Sequence, residues 1–266
     1  MHPIFQASRY ETPAGYPRQP LDRLFLGTRL GFYLLYLNAV LATSRVARRG
    51  ELDDQGWVGA SFRIFHDIEG CGGRFALEGL ENLEQFPGPA VIIANHQSTM
   101  ETMILPGVIQ PVRPVTFVVK DSLLHGPLFG PVMRSRDPIA LSRQNPREDL
   151  KKVLEEGPRV LAGGRSLIVF PQAHRRDDFD PAGFNSLGVK LALKAGVPVI
   201  PAALQTDFWG NGRLIRVLGP IRPHRPIRMV FGAPIHPTGN GREAHQAVVD
   251  FITGRLAEWK RSDPPR

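Results

Sequence analysis

Ala90-Val91-Ile92-Ile93-Ala94-Asn95-His96-Gln97-Ser98-Thr99-Met100-Glu101 runs from an unbroken apolar segment through a polar turn into the start of a helix. The apolar part reads as a buried strand. A turn that follows such a strand is a common seat for catalytic side chains. His96 can serve as a general base near neutral pH, and Glu101, a carboxylate within reach, can fix its tautomer and stabilise the imidazolium that forms. The same letters also spell a capping box, in which Ser98 caps the helix and Glu101 reaches back to the cap's amide. On this stretch alone both readings stand.

Further β-branched, apolar runs at residues 116–119, 167–170 and 199–203 read as buried strands, with helical patterns between them. Asn145 suits a helix cap, Pro146 the first helical position, and Glu148 and Asp149 the first turn, with Gly157 as the stop. Residues 187–195 read as another helix, closed by Gly196. Residues 213–218 and 227–231 look like late strands on either side of a proline-rich turn, and a last helix starts near Glu243. The expectation is an α/β fold with a mixed, largely parallel sheet flanked by helices. Ligands in such a sheet gather at the carboxyl ends of the strands, where His96 and Pro171 fall.

The chain has 266 residues and a formal net charge of +8, enough for one large core and a small appendage. The positive balance suits nucleic acid, anionic lipid or acidic co-substrates, and does not choose among them. A phosphate loop, Gly-x-Ser-x-Gly and His-Glu-x-x-His are all missing from the sequence, as is a basic element interleaved with aromatics. Nucleic-acid binding is therefore not expected. Cys71 is the single cysteine, which favours a reducing compartment. His66, His125 and His174 read as surface or polar-core histidines, with no ligand spacing that suggests a metal.

Taken in order, several stretches resemble the motifs of the 1-acylglycerol-3-phosphate and lysophospholipid acyltransferases. The family's Asn-His, four residues, acid motif stands here as Asn95, His96 and Glu101, the acid usually being Asp. Its second motif is similar to Ile139-Ala140-Leu141-Ser142-Arg143. The third, usually Phe-Pro-Glu-Gly-Thr-Arg, stands as Phe170-Pro171-Gln172-Ala173-His174-Arg175, and the fourth as Val197-Pro198-Val199-Ile200-Pro201. Lys120 sits where such enzymes often carry a lysine. The resemblance runs from about Phe75 to Phe231 and implies a glycerolipid acyltransferase-like fold. It implies transfer of a fatty acyl chain from an acyl thioester, carried by coenzyme A or acyl carrier protein, to a hydroxyl of a lysophospholipid such as 1-acylglycerol-3-phosphate. His96 is then the base and Glu101 its orienter, with no acyl-enzyme and no cofactor beyond the thioester co-substrate. Lys120, Arg143, Gln172, His174, Arg175 and Arg176 are the substrate-binding residues it suggests. Gln172, Ala173 and His174 depart from the family pattern, and Asn185 stands where a lysine is usual. A different lipid or amine acceptor, or a lipid-binding relative without activity, are the alternatives.

Residues 24–42 form an apolar, aromatic stretch with Arg29 and Asn38 inside it and Arg45, Arg48 and Arg49 after it. A spanning helix wants ~20 mostly apolar residues, and Arg29 would be costly near the bilayer centre. A helix lying in the interface, its tyrosines at headgroup depth and its arginines on anionic lipid, is the main expectation. A core-packed helix and a true span are the alternatives. Residues 1–20 lack the basic-then-apolar order of a cleaved signal. The expected organisation is an N-terminal helical membrane-associating segment at 1–60 and an α/β acyltransferase domain at 61–266, peripheral or monotopic at the cytoplasmic face of a membrane.

Overall fold

The computed structural model describes residues 8–172 and 174–263; residues 1–7, part of the stretch read as lacking a signal, and Ala173 of the third motif lie outside them. Among the described residues the strands are β1 (Tyr10–Glu11), β2 (Phe75–Glu78), β3 (Val91–Ala94), β4 (Val115–Lys120), β5 (Ile139–Leu141), β6 (Ser166–Val169), β7 (Val199–Gln205) and β8 (Ile227–Phe231). They form a single sheet in the order β1-β2-β8-β7-β3-β6-β4-β5. From β7 through β3, β6 and β4 to β5 the neighbours are parallel, while β8 runs antiparallel to β7 and β1 to β2. The helices are α1 (Pro20–Leu24), α2 (Arg29–Arg48), α3 (Asp54–Gly70), α4 (Met100–Ile109), α5 (Ser122–His125), α6 (Phe129–Arg134), α7 (Pro146–Ala162), α8 (Leu187–Ala195) and α9 (Arg242–Ser262).

β3 lies at the middle of the parallel part, with Ile92 opposite Ile168 on one side and Ile200 on the other. Side chains alternate across a strand. Ile92 and Ala94 accordingly join a core built with Phe32, Phe65 and Ile104 of α2, α3 and α4, while Val91 and Ile93 join one built with Val153, Val189 and Val248 of α7, α8 and α9. Helices therefore cover both faces of the sheet. That is why the strand shows no polar alternation in sequence.

Two expectations need correction. Residues 213–218 are an irregular loop, not a strand. Leu214, Ile215 and Leu218 project outward, while Val217 is half-buried against the core. Nor does Gly157 stop α7, which continues to Ala162 and carries Pro158 within it. A Cβ at Gly157 would lie 2.5 Å from Leu191 Cδ1 of α8, so this glycine lets two helices approach closely.

α2 is long and apolar enough by composition to cross a membrane. However, Phe32, Tyr36, Ala39 and Val40 are buried against the domain, and the rings of Phe32 and Tyr36 meet Trp209 edge-on at 4.9 and 4.8 Å. The outward face carries Leu30, Leu34 and Leu37. The tyrosines thus face protein rather than headgroups, correcting that expectation, and the helix lies along the fold with leucines outward. Residue 60, the expected end of the N-terminal segment, falls inside α3.

Candidate active site

Where β3 ends, Asn95 prolongs its pairing with β7 by side chain, accepting from Leu204 N and donating to Leu204 O, both at 2.8 Å. The first residue of the Asn-His pair is thus a backbone clamp. His96 comes next, its amide donating to Gln172 Oε1 at 2.8 Å. Gln172 is buried, with its carbonyl holding the histidine's backbone, so its position suits fixing the turn. Gln97 Oε1 accepts from Thr206 N at 2.6 Å, and Gln97 O accepts from Asn211 Nδ2 at 2.8 Å. The turn is therefore gripped from three separate chain segments.

His96 Nδ1 lies 2.5 Å from Glu101 Oε2. Glu101 is fully buried, and its other oxygen, Oε1, accepts from Gln97 N and Ser98 N, each at 2.8 Å, and from Thr206 Oγ1 at 2.5 Å. A buried carboxylate is tolerated only when donors surround it. Both readings of the motif are thus realised at once, because one oxygen caps the turn and the other faces the imidazole. With Nδ1–H donating to Glu101, the neutral ring presents its Nε2 lone pair as the acceptor. Phe170, one residue past β6, stacks on the ring at 4.4 Å between centroids and 22° between planes. The sequence reads Phe170 as part of the strand, but β6 ends at Val169 and leaves the phenyl free to stack on the imidazole.

Arg175 Nη1 donates to Thr99 Oγ1 at the start of α4. Burial holds its guanidinium below the usual range, the nearby Glu101 carboxylate opposes this, and the positive charges of Arg216 and Arg143 add to the lowering. Arg216 and Arg143 thus each add positive charge around the Arg175 guanidinium, which an anion beside it would offset. Arg143, with φ of 57°, follows β5 and is held by Asp149 Oδ2 on its amide at 2.9 Å. It helps to line a cavity of about 270 Å³ together with Val118, Leu150 and Phe170.

The remaining sequence candidates are less convergent. Lys120 stands exposed at the end of β4, two strands from β3. His174 is exposed, and Arg176, also exposed, pairs with Asp180 at 3.0 Å and faces a separate cavity of about 560 Å³. Asn185 donates to Pro171 O at 2.5 Å and accepts from Leu187 N, so where a lysine is usual it ties the third motif to α8. Sequence reasoning missed Thr206, Asn211, Arg216 and the stacking role of Phe170. Only Phe170 carried a signal, since it heads the third motif.

Residues 74–205 match the family model described as Acyltransferase. The chain is 33% identical over 193 residues to the 1-acyl-sn-glycerol-3-phosphate acyltransferase of Pseudomonas aeruginosa, covering 71% of each chain. The chain belongs to the 1-acylglycerol-3-phosphate acyltransferase family. The acyltransferase is also 29% identical to a chloroplastic 1-acyl-sn-glycerol-3-phosphate acyltransferase of Arabidopsis thaliana, over 68% of this chain and 47% of that one. Its fold is similar to the crystal structure of the 1-acyl-sn-glycerophosphate acyltransferase of Thermotoga maritima, with a TM-score of 0.63 at 21% identity, covering 90% of this chain and 97% of that chain.

Proposed function

We propose that this acyltransferase moves a fatty acyl chain from an acyl thioester of coenzyme A or acyl carrier protein to the free hydroxyl of 1-acylglycerol-3-phosphate. The observation that carries the reading is the buried Glu101 on His96 Nδ1, with Arg175 bonded to Thr99 at the start of the helix that bears this carboxylate. The acceptor oxygen attacks the thioester carbonyl carbon while its proton passes to His96 Nε2, and Glu101 steadies the imidazolium through Nδ1–H. The tetrahedral adduct collapses, the C–S bond breaks, and the departing thiolate takes the proton back from His96. No residue is acylated. General-base catalysis supplies roughly 10²–10⁴-fold, so positioning of the two substrates supplies much of the rest.

Arg143 and Arg175 hold the acceptor's phosphate, where planar guanidiniums suit bidentate contacts. Arg216 joins them, while Lys120, His174 and Arg176 form the outer part of the substrate surface. Gln172 acts through the backbone of His96. The segment 1–60 places the α/β domain on an anionic membrane through the outward leucines of α2. Burying one such side chain fully is worth ~1.5–3 kcal/mol, and several together hold a protein at an interface.

The test offers 1-acylglycerol-3-phosphate, lysophosphatidylcholine and an amine-bearing lipid with each thioester donor. The reading expects the phosphate monoester to be preferred, and Arg175→Ala to raise its KM by about tenfold, the loss of one charge-assisted contact. Use of the zwitterionic acceptor by the native chain as readily as the phosphate monoester, or an unchanged KM for the monoester in Arg175→Ala, would overturn the assignment.

A further inference from the structure

The loop at residues 213–218 carries the most exposed apolar group near the site: Leu214 is 98% exposed, with Ile215 at 57% and Leu218 at 46%. Contiguous exposed apolar side chains mark an interaction surface. The loop is also firmly based. Tyr33 of α2 donates its hydroxyl to Val217 O and Gly219 O at 3.1 and 2.7 Å, and Trp209 Nε1 donates to Val217 O at 2.8 Å. The backbone closes on itself through Gly212 N to Arg216 O at 3.0 Å.

These anchors put the loop beside the exposed face of α2. At ~100° per residue, Leu30 and Leu37 lie about 60° and 40° around the helix from Tyr33, on the side that touches the loop. The exposed leucines of α2 and of the loop therefore lie on neighbouring elements, with the exposed Arg213 and Arg216 beside them. On its inner side the loop reaches the active site, since Arg216 Nη1 donates to Arg175 O at 3.4 Å and Asn211 donates to Gln97 O at 2.8 Å.

We propose that residues 213–218 are a membrane-inserting finger that docks on an anionic bilayer beside α2. The inference rests on the membrane-facing reading of α2 and adds a second, sequence-remote anchor tied directly to the His96 turn. Its occupant is a lipid surface because apolar tips ringed by arginines match the layering of acyl chains beneath anionic headgroups. The finger and α2 together hold the active-site mouth against the phase that contains the acceptor.

The test places a single reporter at the tip. Trp57, Trp209 and Trp259 are buried, at 5%, 0% and 8% exposed, so the native emission is shielded from lipid. The full chain carrying Leu214→Trp is mixed with vesicles of phosphatidylglycerol and phosphatidylcholine brominated near the head of the acyl chain, and Leu30→Trp serves as the α2 reporter. Inserted apolar faces sit ~5–10 Å deep, so both variants should lose roughly half of the added emission, and much less in vesicles of phosphatidylcholine alone. Quenching of Leu30→Trp without quenching of Leu214→Trp overturns the finger and leaves the α2 reading intact, the outcome expected of a surface reserved for a protein partner. Quenching of neither overturns both. Neither readout depends on acyl transfer, which the lysolipid panel judges separately.

Discussion

Glu101 divides its two oxygens between two tasks: Oε2 meets His96 Nδ1 at 2.5 Å, while Oε1 holds the turn that carries the same histidine. The base and the backbone that aims it thus hang on one carboxyl group. Glu101→Gln keeps an oxygen for the turn but turns an amide N–H₂ toward Nδ1, which favours the wrong tautomer. Its kcat should fall by roughly 10²–10⁴-fold with little change in KM. Glu101→Asp draws the carboxylate back by about 1.5 Å, one carbon–carbon bond, and cannot serve both tasks. A steady-state assay should place it between native and Glu101→Gln; full activity in the aspartate variant would show that the reach of Glu101 is irrelevant.

Thr206 contributes the third donor to Oε1, at 2.5 Å, from just beyond β7. Thr206→Val preserves the shape and removes the O–H. A hydrogen bond to a charged group is worth ~1.5–3 kcal/mol, so urea unfolding should show a loss within that range. Because the carboxylate is less firmly held, kcat should drop roughly tenfold while KM stays near native. Thr206→Ser should restore both. A Val variant with native kcat would leave Thr206 a packing residue only.

Asp67 illustrates an opposite electrostatic situation, away from the site. Its side chain is 5% exposed, Oδ1 accepts from Gln19 at 3.0 Å and Oδ2 has no hydrogen-bond partner among the described residues. Burial pushes its pKa up to about 6 from 3.8, with Arg63 and His66 opposing. A raised carboxyl binds its proton more tightly in the folded state, so stability declines as pH rises from about 4 to about 6 and is flat above. Asp67→Asn removes the ionisation. Two pKa units correspond to about 2–3 kcal/mol as an upper bound, so the variant's gain over native in urea should grow across that window to about 1–2 kcal/mol. A gain independent of pH would assign the effect to something other than this carboxyl.

Gly157 gives a packing prediction. In an exposed helix, alanine would be favoured over glycine by ~1 kcal/mol. Here the added methyl would meet Leu191, which is fully buried, at 2.5 Å. Overpacking costs ~1–3 kcal/mol, so Gly157→Ala should lower stability by about 1 kcal/mol on balance. A stabilised variant would mean that α7 and α8 separate easily.

The sequence made the central part of the molecule legible because the relevant physics there is local. The run at residues 90–94 is apolar throughout as a consequence of burial on both faces, and base and orienter stand within one turn of chain. Asn145 could be read as a cap for the same reason, and it accepts from Arg147 N at 3.0 Å. What stayed hidden arrives from a distance. Thr206 reaches Glu101 across 105 positions and Tyr33 reaches Val217 across 184, contacts that no window of sequence contains. The loop at 213–218 reads as a strand because exposed apolar residues carry the same letters as apolar residues buried in one. Gly157 was misread because close helix approach and helix termination both call for a residue without a side chain.

The account turns on His96 as the proton acceptor, and the direct measurement is turnover of acyl thioester and lysolipid by His96→Ala beside the native chain, with urea unfolding run on both. His96→Ala should lower kcat by roughly 10²–10⁴-fold and still unfold in one cooperative transition, with a stability loss of ~1.5–3 kcal/mol because Glu101 Oε2 loses its donor, while Asn95, Gln97 and Gln172 keep the turn in place. A variant that folds like the native chain and transfers acyl groups at the native rate would contradict it.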